Sequence, residues 1–115
     1  MAESFWQILE EIAKRREIVI DRPKGSSHPR YPDTIYPLDY GYLKGTHSMD
    51  GEGLDVWRGS LCGRGLTGIV CTADRIKGDC EIKLLIDCTA EEMQAINLFH
   101  NSSENMKGML IPREE

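Results

Sequence analysis

Two spacings of apolar residues divide the chain. Over residues 4 to 16, Phe5, Ile8, Leu9 and Ile12 recur at i, i+3, i+4 and i+7, the period of one buried helical face. Ser4 precedes the run and Gln7 follows three residues later, a capping box that predicts where the helix begins. From residue 17 the period shortens. "EIVID", "LDYGYLKG", "LDVWRG", "LTGIVCT" and "CEIKLLID" read as short extended runs. Between the first two lie four of the five prolines, from Pro23 to Pro37, which marks that stretch as loop or extended edge. Thr89 with Glu92 forms a second capping box, opening a helix through about Asn101 with Met93, Ile96 and Phe99 on one side. The last fifteen residues are polar and weakly patterned, and no element is assigned to them. The order helix, short strands, helix predicts one domain over residues 1–115, mainly β, with a small, strongly curved sheet or barrel and helices packed outside.

Alternation gives the strands their faces. In "CEIKLLID", Cys80, Ile82, Leu84 and Ile86 form the expected core face, while Glu81, Lys83 and Leu85 point the other way. Glu81 and Lys83 are then either a plain surface pair or the lining of a polar cavity. In "LDVW", Asp55 projects away from the layer of Leu54 and Val56. Asp74 and Asp79 bracket "DRIKGD", the turn of a hairpin.

Charge narrows the function classes. The chain has 115 residues, 40% hydrophobic and 29% charged, with a formal charge of -5. An acidic chain with eight aromatics is a poor binder of nucleic acid, where phosphate neutralisation supplies most of the affinity. No apolar run approaches the roughly 20 residues of a membrane span, and the N-terminus lacks the features of a signal peptide. Cys62, Cys71, Cys80 and Cys88 include no C-x-x-C spacing, so reduced thiols in a cytoplasmic protein are expected. His28, His47 and His100 lack ligand spacing and read as surface or structural residues.

The chemistry concentrates in "THSMDGEGLDVW". Asp50, Glu52 and Asp55 crowd a glycine-rich turn where, left alone, they repel one another. An EF-hand is excluded: the order of acidic residues is wrong, and the twelfth position from Asp50 is Leu61 where a bidentate Glu is required. A few carboxylates on a short loop suit Mg²⁺, which keeps several waters and is usually completed by substrate phosphate.

The surrounding stretch, "YPLDYGYLKGTHSMDGEGLDVW", resembles the signature of the soluble family I inorganic pyrophosphatases. Tyr36-Pro37, Tyr40-Gly41-Tyr42 and Asp50 through Val56 stand in that family's order and spacing, and Glu81-Ile82-Lys83-Leu84 resembles a later family segment. Three positions depart from the pattern: Glu52 and Glu81 stand where the family has Asp, and Gly53 where it has Pro. The resemblance, over roughly residues 17 to 88, implies an OB-like five-stranded β-barrel with N-terminal and C-terminal helices outside, hydrolysing pyrophosphate with Mg²⁺, or with Mn²⁺ as the alternative ion. It implies that Asp50, Asp55 and Glu81 hold metal, with Asp21 and Asp74 completing outer sites. Glu52 would receive the proton of the attacking water, beside Asp55 and Lys83 as catalytic groups. Tyr40 and Lys83 would contact phosphate and Tyr36 support the wall, while Lys24 and Arg30 would supply further positive charge to the substrate. A homo-oligomer is also implied. A catalytically weak or inactive module of the same fold, or a hydrolase of another small polyphosphate or nucleotide, remains the alternative.

Overall fold

A computed structural model describes residues 3–48 and 51–113. Asp50, the first carboxylate of the acidic turn, lies outside the described residues. The elements run α1 (Phe5–Lys14), β1 (Ile18–Arg22), β2 (Asp39–Leu43), β3 (Asp55–Arg58), β4 (Leu66–Asp74), β5 (Asp79–Ile86), α2 (Ala90–Asn101) and β6 (Met106–Pro112). Both capping boxes form: Ser4 and Thr89 accept from the backbones of Gln7 and Glu92, whose side chains reach back to the cap amides.

The strands make one sheet in the order β1-β2-β3-β5-β4-β6. The architecture is mainly β with two flanking helices, as the pattern predicts. Among the described residues it has six strands, one more than the expected five, and no ladder joins the edge strands β1 and β6 to close a barrel. The sixth strand comes from the segment to which sequence assigned nothing; its seven-residue ladder along β4, from Gly68↔Pro112 to Asp74↔Met106, supplies the order that local patterning lacks. Two antiparallel halves, β1-β2-β3 and β5-β4-β6, meet at one parallel seam of three pairs: Val56↔Leu84, Trp57↔Leu85 and Arg58↔Ile86.

A core layer lies on each face. On one, Leu9 and Ala13 of α1 pack with Leu43, Val56, Leu66, Ile69, Leu84 and Ile86. On the other, Tyr36, Leu38, Trp57, Val70, Leu85 and Cys88 pack with Ile96 of α2. Two expected faces need correction. α1 buries Leu9 and Ala13, with Trp6 packed alongside, whereas Phe5 and Ile8 are half exposed. The helix is rotated because the larger Trp6 ring is drawn inward while Glu10 pairs with Arg113 at 2.8 Å. On β5, Cys80 and Ile82 are exposed, and burial begins at Lys83 and continues on both faces through Ile86. The helices cover only the half of β5 nearest its C-terminus, leaving the N-terminal half open.

The proline-rich stretch is more ordered than a plain loop. Gly25 N–H and Ser26 C=O bond across to Tyr36, His28 N–H bonds to Thr34 C=O, and Ser27 bridges Ile35. This narrow arm stacks His28 over Tyr36, which in turn contacts Tyr40, Trp57 and Phe99. The YGY glycine has a separate cause: a Cβ on Gly41 would collide with the backbone of Val19 and Ile20, so only glycine lets β1 approach β2.

Candidate functional site

Lys83 is 5% exposed, which requires its ammonium to be compensated. Its Nζ donates to Asp55 Oδ2 at 2.8 Å, Tyr40 OH at 2.9 Å and Glu81 Oε2 at 3.0 Å. Three partners use all three ammonium protons. Strand register explains the convergence. Tyr40 and Trp57 pair across β2 and β3, and Asp55 lies two residues before Trp57 on the same face. Lys83 likewise lies two residues before Leu85, the partner of Trp57 across the seam. Lys83 is therefore no plain surface residue: with Glu81 it belongs to a partly buried polar cluster.

Burial works against charge on Lys83, but the Tyr40 oxygen and the Asp55 carboxylate outweigh it and hold the ammonium above the ordinary lysine range. Burial, reinforced by the charge of Asp55, pushes the Tyr40 phenol well above its usual value, so it stays protonated at neutral pH. The cluster is thus a fixed cation and a neutral hydroxyl set between two carboxylates.

The other sequence-selected residues sit around this centre. Glu52 is exposed on the β2–β3 turn, which is folded back by hydrogen bonds from Ser48 N–H and Oγ to the Glu52 carbonyl. Buried Thr46 anchors the same turn, accepting from Leu54 N–H and donating to Leu43 C=O. A Cβ at Gly53 would stand 2.9 Å from the Tyr42 ring, which gives a local reason for glycine there. Asp21 is exposed at an irregularity in the β1–β2 register, opposite Gly41 and Tyr40. Asp74 faces the same way as Glu81 but one side-chain repeat along, about 7 Å; its Oδ1 accepts from the amides of Ile76 and Lys77 and shapes the hairpin turn.

Lys24 and Arg30 lie on the proline-rich arm. The Lys24 amide donates to Asp39, which also pairs with Arg58. Asp39↔Arg58 is the opposite end of the β2–β3 ladder from Tyr42↔Asp55, about 10 Å away. The Arg30 amide is held by His28 Nδ1. Tyr36 is buried, stacked on Tyr40 with ring centroids 5.5 Å apart, and so supports the cluster from below.

Of two further residues here, Lys77 escaped sequence reasoning and His100 was read as surface or structural with no partner assigned. Lys77, on the β4–β5 hairpin, places its Nζ 3.6 Å from Glu81 Oε1 and 3.4 Å from Asp79 Oδ2; its i, i+4 relation to Glu81 was available as a signal. His100, 4% exposed, accepts a hydrogen bond from the Trp57 indole at 3.0 Å through Nε2. No local pattern links those two positions, 43 residues apart. With Nε2 accepting, the neutral ring carries its proton on Nδ1, a buried atom with no partner among the described residues.

Burial, aided by the nearby Lys83 charge and opposed by Asp55, pushes the His100 pKa down to about 3. An unfolded chain takes up that proton near pH 6.5. Unfolding therefore binds a proton between these values, and the stability present above pH 6.5 is lost as pH falls toward 3, by up to about 1.4 kcal/mol per unit. Denaturant unfolding measured from pH 4 to 7 should show this slope, and His100→Gln should flatten it. An unchanged slope in the variant would assign the loss to other groups.

Asp55 and Glu81 are oxygen donors from neighbouring strands, each with one oxygen on Lys83. Among the described residues no three His, Cys, Asp or Glu side chains stand close enough to hold a metal ion. Two carboxylates nonetheless fit Mg²⁺ when water and phosphate complete its shell. Among the described residues no helix is long and apolar enough to cross a membrane.

Fold and site together define a mainly β domain presenting a lysine-bridged carboxylate pair on the open part of its sheet. That fold is a divergent form of the family I inorganic pyrophosphatase fold. An inorganic pyrophosphatase from Helicobacter pylori superimposes with a TM-score of 0.57 at 17% identity, over 83% of this chain and 81% of that one. One from Coxiella burnetii gives 0.56 at 17% identity, over 85% and 84%. No protein-family model matches the chain, and no curated protein matches it in sequence.

Proposed function

We propose that this chain hydrolyses inorganic pyrophosphate to two phosphates in a Mg²⁺-dependent reaction. The observation that carries the reading is the convergence of Asp55, Glu81, Lys83 and Tyr40 on a domain with the pyrophosphatase fold. Asp55 and Glu81 would hold the metal, with Asp50, Asp21 and Asp74 as the further acidic ligands. A bound divalent ion supplies water activation near neutral pH and neutralises phosphate charge.

The protein's own groups do the rest. Phosphoryl transfer depends mainly on positioning and charge stabilisation. Lys83 fixes the orientation of both carboxylates and sets a permanent positive charge beside them. Tyr40, kept protonated by burial, stacked on Tyr36 and tilted against Trp57, offers a rigid hydroxyl to a phosphate oxygen. Glu52, exposed on the adjoining turn, accepts the proton of the attacking water; the P–O bond to the leaving phosphate breaks as the new one forms. Lys24 and Arg30 add positive potential from the arm. The same reading carries the expectation of a cytoplasmic homo-oligomer acting on pyrophosphate or a related small phosphoanhydride.

Phosphate release from pyrophosphate, a nucleoside triphosphate and a phosphomonoester, each with Mg²⁺, Mn²⁺ or EDTA, tests this. Release from pyrophosphate with either ion and none in EDTA is expected. Preferential release from the triphosphate would reassign the substrate. Silence on all three by a folded protein would leave a non-catalytic module.

A further inference from the structure

The cations nearest the carboxylate pair are not equally free to meet a substrate. Lys83 is buried and has committed its three protons. Arg58 is paired with Asp39 at the far end of the β2–β3 ladder. Lys77 differs from both. Its side chain is 58% exposed, on a hairpin tip, and its two contacts, 3.4 and 3.6 Å, are loose ion pairs without the short distances of charge-assisted hydrogen bonds. One of those contacts is to Glu81 Oε1, the oxygen that Lys83 leaves available.

We infer that Lys77 is a substrate-gripping cation that shields Glu81 in the resting protein and swings onto a phosphate oxygen when a divalent ion takes that carboxylate. The inference rests on the proposed role of Glu81 in metal binding. Glu81 cannot give Oε1 to an ion and to an ammonium with equal effect, so the two compete. Once displaced, the ammonium stays tethered beside the carboxylates by the hairpin, where the anionic substrate adds new negative charge. The exchange carries little cost, because an exposed ion pair holds its partners weakly. Strand pairing keeps the tether short: Lys77 lies between Asp74 and Asp79, the last pair of the β4–β5 ladder, two residues along from Glu81.

Two binding measurements by calorimetry, neither needing turnover, test the exchange with opposite expected signs. Mn²⁺ alone should bind Lys77→Met about threefold more tightly than the wild type, since a competitor of exposed-ion-pair strength is gone. With Mn²⁺ saturating, the non-hydrolysable analogue imidodiphosphate should bind Lys77→Met about tenfold more weakly, the scale of one charge-assisted contact. Lys77→Arg should restore analogue binding. Mn²⁺ binding unchanged or weakened in Lys77→Met, or analogue binding unchanged, would overturn the inference. A protein that shows both shifts yet releases no phosphate from pyrophosphate would retain the Lys77 role and lose the hydrolase assignment.

Discussion

Asp55→Asn is expected to lower kcat/KM for pyrophosphate by about 10³-fold, the scale of removing one preorganised charged group from a phosphoryl-transfer site. The melting temperature should also fall, because buried Lys83 keeps Glu81 as its counter-charge and loses that of Asp55, while the variant stays folded. The carboxamide matches the carboxylate in shape, its oxygen still accepts from Lys83, and the position is partly exposed, so little packing is lost. What disappears is the negative charge and the oxygen donor. Steady-state phosphate release alongside thermal melting separates the two effects. Full activity in the variant would remove Asp55 from the reaction, and with it the reading of the cluster as an active site.

Gly41→Val is expected to abolish cooperative folding, a loss above about 4 kcal/mol. The reason is contact with main chain, because a Cβ at this position would meet the Val19 carbonyl group and lie 2.9 Å from Ile20 Cα. A flexible side chain can give way, but a neighbouring strand must move as a whole. β1 would separate from β2 and withdraw its four pairs, from Ile18↔Leu43 to Arg22↔Tyr40. Gly41→Ala should already be severe. Gly45→Ala supplies the contrast: that glycine has φ +81 and open space around it, so only backbone strain of about 1 kcal/mol is expected. Urea denaturation ranks the variants, and equal midpoints for the two alanine substitutions would contradict the close-approach argument.

The elements most legible in the sequence were those whose cause is local. Ser4 and Thr89 mark their helices because a capping box is written within four residues, and both boxes form. Asp55 was placed opposite Leu54 and Val56 because alternation along β3 is a local rule, but that the Asp55 face carries a second core layer around Trp57 was not foreseen. The rotation of α1 was not legible, since Trp6 and Phe5 lie on adjacent stripes and the choice depends on Arg113 at the other end of the chain. β6 was invisible for a related reason: residues 106–112 carry apolar groups on both sides, and only pairing with β4 makes a strand of them. Within the candidate site, motif and alternation brought Asp55, Glu81, Lys83 and Tyr40 to notice before their contact was known. The burial of Lys83 depends on what covers the far side of β5, which no window along the chain records. The Trp57–His100 bond is longer-range still, as it requires α2 to fold back over the seam.

The seam between β3 and β5 has a mechanical consequence. Asp55 and Tyr40 belong to one antiparallel half of the sheet, Glu81 and Lys83 to the other, and among the described residues the strand ladder between the halves is three parallel pairs long. Lys83 therefore acts as a rivet, clamping an otherwise narrow joint with its bonds to Asp55 and Tyr40. Any occupant drawing on Asp55 and Glu81 together would tighten that joint, so that filling the site and stiffening the whole sheet become one event.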